Sequence, residues 1–308
     1  MRILVTGISG AIGAGLTPAL LGAGHDLAAL TRNPESPLLA DLPARVVLHT
    51  GDAVSGAGLD RALADVEVAY YLIHSMEPGP SERFEAREHL AAENFARAAI
   101  RAGVRRIIYL GGLVPRGHPS QHLASRLAVE RVLLDALPES IALRASIVIG
   151  ARSRSFRFLV RLIERLPILI VPGWGSHRTT PVDQRDVIRC LAGCADAAGL
   201  GGRSLDLVGP ETLTYQLLIE RIRDHLLLAR PALRLSRVEL TPIASRLSAA
   251  ITGEDHALIG PLMRGLSGDL LASQELATDV LAVAPHRLDA AIEHALREWE
   301  ATEQLAGR

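Results

Sequence analysis

Thr6-Gly7-Ile8-Ser9-Gly10-Ala11-Ile12-Gly13 follows the apolar run of residues 2–6 without a break. Glycines at this spacing do three different things. Gly7 permits a sharp turn out of a strand, Gly10 lets backbone approach a pyrophosphate, and Gly13 lets the next helix pack closely on the strand. The N-terminus of that helix offers free N–H groups and a positive dipole end to phosphate. The flanks are those a dinucleotide turn requires: an apolar helix after it (Leu16 to Leu21), then Gly24-His25 and a second strand from Asp26 to Thr31. Gly7, Ser9, Gly10, Ala11, Ile12 and Gly13 therefore read as phosphate-binding residues. The alternative is an ordinary strand–helix turn that binds nothing.

The end of the second strand bears on which dinucleotide is preferred. A site for NAD places Asp or Glu there, on the ribose 2′-hydroxyl. Here the strand ends Thr31-Arg32-Asn33-Pro34, with no carboxylate. The planar fork of Arg32 suits a 2′-phosphate, so NADP(H) is expected over NAD(H), with a solvated arginine as the alternative. Asp52 and Ala53, after the third strand, stand where side chains meet adenine. Asp52 reads equally well as a turn aspartate after Gly51.

These residues need a framework. With 308 residues, one large α/β domain, or such a domain with an appendage, is expected. Apolar residues make up 48 % and aromatics only 3 %, so the core must be aliphatic. Strand patterns fall at 2–6, 26–31, 45–50, 66–73, 105–111, 141–149 and 204–208. The first six are near-continuous apolar runs, as in strands buried on both faces. Helical patterns fall at 11–22, 56–64, 82–102, 121–136, 153–165, 184–197, 214–228 and 284–303. The alternation predicts a Rossmann-type, doubly wound parallel sheet with a small C-terminal α/β cap. Residues 1–150 would form the nucleotide-binding core, with 180–200 returning to it. Residues 151–308 would form an interleaved substrate-binding cap over the carboxyl edge of the sheet. Residues 166–182, rich in proline and glycine, read as a loop. The arginine-rich stretch 152–165 reads as an amphipathic helix with a solvated face.

Composition excludes several classes. The net charge of −1 makes no electrostatic case for nucleic acid or an anionic membrane. No apolar run reaches the ~18 residues needed to span a bilayer. No basic segment precedes an apolar leader, so a cytoplasmic location is expected. Cys190 and Cys194 lie four apart on a helix and read as a buried structural pair, too few for a zinc site. All 33 basic residues are arginine, so lysine chemistry is absent.

Thr6–Gly13, Gly51-Asp52, Asn94, Ala102-Gly-Val-Arg-Arg-Ile-Ile108 and Thr180-Pro-Val-Asp-Gln-Arg-Asp-Val187 together resemble the extended or atypical short-chain dehydrogenase/reductase superfamily. Tyr70-Tyr-Leu-Ile-His-Ser-Met76, Tyr109-Leu-Gly-Gly-Leu113 and His122-Leu-Ala-Ser-Arg126 resemble its narrower, NmrA-like group of NAD(P)H-binding proteins. The resemblance implies the fold and the cofactor, and it specifies the reaction far less.

The superfamily pattern is a serine after the fifth strand and Tyr-x-x-x-Lys on the next helix. In this chain the serine slot holds Gly111 or Gly112, and the helix slot reads His122-x-x-x-Arg126. Spacing i, i+4 puts that pair on one helix face. Two readings are open. His122 replaces tyrosine as the proton donor and acceptor with Arg126 clamping the ribose, or the catalytic set has decayed. Ile73, His74 and Ser75 would lie beside the cofactor, Gly111 and Gly112 would give the nicotinamide room, and Ser146 would face its carboxamide. Met76, Leu113, His122, Trp174 and His177 are candidates for the substrate wall.

The expected activity is NADP(H)-dependent hydride transfer to or from a carbonyl, alcohol or activated double bond of a hydrophobic small molecule. Its rival is a non-catalytic redox sensor or scaffold. An epimerase or dehydratase would need a second proton-transfer group, His74 or His177.

Overall fold

Runs such as Ile3-Leu4-Val5, Val68-Ala69-Tyr70 and Ile107-Ile108-Tyr109 leave no side chain for solvent, and all nine residues are at most 1 % exposed. Strands of this kind require cover on both faces. The computed structural model describes residues 1–73, 81–115, 119–166, 169–235 and 268–305, with backbone alone at 81–84, 169–172 and 232–235. In chain order the main elements begin with β1 (Arg2–Thr6), α1 (Ala11–Gly22), β2 (Asp26–Thr31), β3 (Val47–Thr50) and α2 (Leu59–Leu63). They continue with β4 (Val68–Tyr71), α3 (Ser81–Arg101), β5 (Arg106–Gly112), α4 (Gln121–Ala136) and β6 (Ile141–Ala145). The last are α5 (Arg154–Arg165), α6 (Gln184–Cys194), β7 (Arg203–Leu207), α7 (Tyr215–His225) and α8 (Leu288–Glu300).

The seven strands form one sheet in the order β7-β6-β5-β4-β1-β2-β3. Every neighbouring pair in it is parallel. One face is covered by α1 and α6 through Leu16, Leu20, Val187 and Leu191. The other is covered by α2, α3 and α4 through Ala62, Phe95, Ala99, Val129 and Leu133. Winding reverses between β1 and β4, which opens a crevice at their carboxyl ends. Thr6 holds its floor together: its hydroxyl donates to Tyr70 O at 2.9 Å and accepts from Leu72 N at 3.0 Å.

The fold class and the parallel sheet agree with the sequence pattern, and the differences are local. The run 141–149 is two strands. β6 ends at Ala145, and Val148–Ile149 pairs instead with Val182–Asp183. The expected loop 166–182 contains Leu169–Pro172, paired in parallel with Ala232–Leu235, and a turn of 3-10 helix at Gly173–Ser176. Its proline and glycine content concealed a strand whose partner lies some sixty residues away.

The arginine face of α5 is not simply solvated. Arg157 and Arg161 lie 4.1 and 4.8 Å from the ring of Trp299, and both pair with Glu303. Trp299 donates from Nε1 to Glu303 at 2.9 Å. This knot ties α5 to α8 over a second apolar cluster containing Phe156, Ile163, Leu218, Ile222 and Ile292. Cys190 and Cys194 are free and buried in α6, and burial pushes both thiols up to about 12.

Candidate functional site

A cleft of about 800 Å³ runs along the carboxyl ends of the strands. Its first wall is the β1–α1 turn, Gly7 to Gly13. Gly7 has φ +67°, and a Cβ there would stand 2.6 Å from Leu72 O. A Cβ on Gly13 would stand 2.4 Å from Gly7 O. Gly10 is different. A Cβ there would meet only Gly7 O, at 3.1 Å, so the protein's own packing demands glycine far less at this position. Backbone left bare towards a cleft, where a Cβ would fill the space, fits the close approach of a pyrophosphate.

Thr31, Arg32, Asp52, Ala53, Ile73, Gly111, Gly112, Leu113, His122, Arg126 and Ser146 line the same cleft. His74, Ser75 and Met76 lie outside the described residues. Arg32 is exposed at the rim. Asp52 accepts Val54 N at 3.0 Å, the turn role open to it, while also lining the cleft. Asn94 of α3 donates to Ala53 O and Val54 O at 3.1 and 2.8 Å, and so holds this loop in place. Among the described lining residues Asp52 is the one carboxylate, set against Arg32, Arg126, Arg152 and Arg154. The cleft thus carries an excess of positive charge suited to phosphates.

His122 and Arg126 sit one turn apart on α4, both on the cleft. A buried bond from Ser125 Oγ to Glu88 Oε2, 2.9 Å long, seats this helix on α3. Arg126 donates to Leu110 O and lies 5.1 Å from the Tyr109 ring, whose hydroxyl donates to Arg126 O at 3.2 Å. The glycines of the serine slot are packed for glycine. A Cβ at Gly111 would stand 2.9 Å from Tyr109 Cε1, and one at Gly112 would stand 3.2 Å from Leu123 Cδ2.

The four tyrosines are all buried, and burial raises each phenol above its ordinary range. Tyr109 and Tyr215 are pushed up to about 12. Each phenol is therefore a protonated donor at neutral pH, not a base.

Two residues expected on the substrate wall are placed next to it instead. Trp174 and His177 are absent from the described lining of the cleft. Trp174 packs edge-to-face behind Tyr215 with ring centroids 6.2 Å apart, and His177 takes part in that layer through its carbonyl, which accepts Tyr215 N at 3.0 Å. The far wall is instead made by Ile147, Phe158, Leu159, Tyr215 and Leu270. None of these carries a motif. Arg152, which the sequence shows only as part of an arginine-rich amphipathic stretch, donates to Ser9 O at 3.1 Å across the cleft. No cluster of potential metal ligands occurs among the described residues, and no described helix is long and apolar enough to cross a membrane.

Comparison with known proteins places this geometry. Residues 1–133 match the model of the NmrA-like family. The mitochondrial NADH dehydrogenase [ubiquinone] 1 alpha subcomplex subunit 9 of Arabidopsis thaliana is 28 % identical over 71 % of this chain. The match spans 56 % of that protein, about half its length. A ceramide reductase of Caulobacter vibrioides is 27 % identical over 75 % of this chain and 72 % of its own length. In three dimensions, the UDP-glucuronic acid 4-epimerase of Bacillus cereus, solved with UDP-glucuronic acid and NAD, superposes with a TM-score of 0.75. That likeness covers 98 % of this chain and 100 % of the epimerase at 17 % identity, and it is a likeness of fold.

Proposed function

With residues 1–133 an NmrA-like segment on a fold of the NAD(P)-binding reductase and epimerase type, we propose that this protein is an NADP(H)-dependent oxidoreductase of the atypical short-chain kind. The observation that carries the reading is one cleft joining a glycine turn, a rim arginine and the His122–Arg126 pair. The Gly7–Gly13 backbone holds the pyrophosphate. Arg32 takes the 2′-phosphate, and Asp52 and Ala53 flank the adenine. Gly111 and Gly112 leave room for the nicotinamide, with Ile73 and Ser146 beside it. The dinucleotide, when bound, supplies or accepts the hydride. Arg126, always charged, orients the ribose and moves no proton. His122 gives a proton to, or takes one from, the substrate oxygen. The largely apolar far wall favours a hydrophobic carbonyl, alcohol or activated alkene, in line with a relative named for reducing ceramide.

A second reading, a non-catalytic NADP(H)-binding sensor or scaffold, draws on three observations. Arg126 is already engaged with Leu110 O and Tyr109, and the Ser-Tyr-Lys set is absent, while another relative is named as a subunit of a larger dehydrogenase. An epimerase or dehydratase reading has less support, because His177 does not reach the described cleft lining.

The test is a titration with NADPH and NADH, then NADPH oxidation with quinones, ketones and enones. Arg32→Ala is expected to weaken NADPH binding about tenfold to a hundredfold and leave NADH within about twofold. Equal losses for both nucleotides overturn the 2′-phosphate assignment. His122→Phe is expected to slow turnover by about 10²–10⁴ at unchanged NADPH affinity. Tight NADPH binding with no turnover by wild type moves the balance to the sensor reading.

A further inference from the structure

Beyond Gly112 the cleft wall turns apolar, with Leu113, Ile147, Phe158, Leu159 and Leu270 among its residues. Ser146 and Tyr215 line the cleft as well. The Ser146 hydroxyl is paired inside the protein, 3.3 Å from Thr179 Oγ1. The Tyr215 hydroxyl is not: the residue is 1 % exposed, and its Oη has no hydrogen-bond partner among the described residues. Tyr215 is also fixed in place. It is the first residue of α7, its backbone N–H is spent on His177 O at 3.0 Å, and its ring packs edge-to-face on Trp174. A rigid, dry phenol with an unused donor is unfavourable in an apolar wall unless something that enters the cleft completes it.

We propose that Tyr215 Oη anchors the substrate by donating a hydrogen bond to one of its oxygens, so that the far half of the cleft selects apolar molecules bearing a carbonyl or hydroxyl group. This rests on the oxidoreductase reading of the cleft and narrows its substrate class. Burial pushes the Tyr215 phenol up to about 12, and the nearby Thr179 hydroxyl opposes that rise without reaching hydrogen-bond geometry. Tyr215 is consequently a constant donor at physiological pH. A site built to satisfy an oxygen rejects the analogue that lacks it, because its own buried donor is then left unpaired.

The test uses the full chain saturated with NADPH and two probes of similar shape, 1-tetralone and its hydrocarbon counterpart tetralin. Affinities are read from tryptophan fluorescence, which Trp174 behind Tyr215 makes sensitive to this wall. Wild type is expected to bind 1-tetralone about tenfold more tightly than tetralin, and Tyr215→Phe to bring that ratio to about one at unchanged NADPH affinity. A preference that survives Tyr215→Phe, or a wild type that shows none or binds neither probe, overturns the proposal while leaving nucleotide binding intact. If the variant fails to fold, the Cζ resonance of Tyr215 in ¹³C-tyrosine-labelled wild type decides. A shift with 1-tetralone alone supports the anchor, and no shift removes it. NADPH binding is measured first. Its failure in wild type overturns the oxidoreductase reading, and the substrate anchor with it.

Discussion

From Gly7 to Gly13 the cleft wall is one contiguous turn that includes three glycines. From Leu113 to Leu270 it is built of larger residues, drawn from just after β5, the residues after β6, α5, the start of α7 and a segment beyond residue 267. The first region recognises a ligand by what the backbone leaves uncovered, so its demands on sequence are few and strict. The second recognises a ligand by shape and one hydroxyl, so many apolar sequences satisfy it. A nucleotide-binding half of the first kind can serve many different substrate halves of the second.

The sharpest way to break this contrast is within the glycine turn. Gly7→Ala forces a side chain into φ +67° with its Cβ 2.6 Å from Leu72 O. We expect a loss of about 3 kcal/mol or more of unfolding free energy in urea titrations, along with NADPH binding. Gly10→Ala meets only Gly7 O, at 3.1 Å. It is expected to stay within about 1 kcal/mol of wild-type stability and yet lose nucleotide affinity. If both variants unfold alike, Gly10 is a packing glycine and the backbone-cradle account fails.

A smaller effect tests the tie between the halves. Arg152, exposed and bonded to Ser9 O at 3.1 Å, reaches from the far side to the glycine turn. Arg152→Ala is expected to raise the NADPH Kd by about two- to fivefold, and the effect should fade in high salt. A loss that ignores salt would mean a structural role instead.

The smallest effect separates the sheet under the nucleotide half from the C-terminal cluster. His49 on β3 has a depressed pKa, chiefly because burial disfavours its charged form and secondarily through Arg61 and Arg2. The unfolded chain therefore takes up this proton at the higher pH, near 6.5, and the folded chain only below that. Stability is complete above pH 6.5 and declines as pH falls below it, until the folded pKa is passed. Hydrogen exchange should show β3 losing protection before α7 as pH is lowered, and His49→Gln should flatten that slope. Equal loosening of both elements would assign the effect to other groups.

The glycine-turn half of the cleft was legible in the sequence because it is local. Gly7, Gly10, Gly13, Arg32 and Asp52 follow, and Gly111 lies near the end of, strands that announce themselves as continuous apolar runs, and a doubly wound sheet brings successive strand ends to one crevice. The far half was legible only in fragments. Trp174 looked like a wall residue because it is a loop aromatic, yet it stands one layer behind Tyr215. The arginine face of α5 looked solvated because its partners, Trp299 and Glu303, lie about 140 residues away. Strand 169–172 looked like a loop because a four-residue strand with proline at its end is defined by its partner.

The residue sequence alone determined the parallel sheet, the order of its helices and the glycine turn between β1 and α1, since hydrophobic period and glycine spacing are properties of contiguous chain. Only tertiary structure decided that Tyr215 stands on the cleft with an unused hydroxyl, that Arg152 reaches Ser9, and that Gly111 is packed against Tyr109. Each of these is a contact between segments far apart in the chain, and no period or spacing encodes which distant side chain will arrive at a given surface.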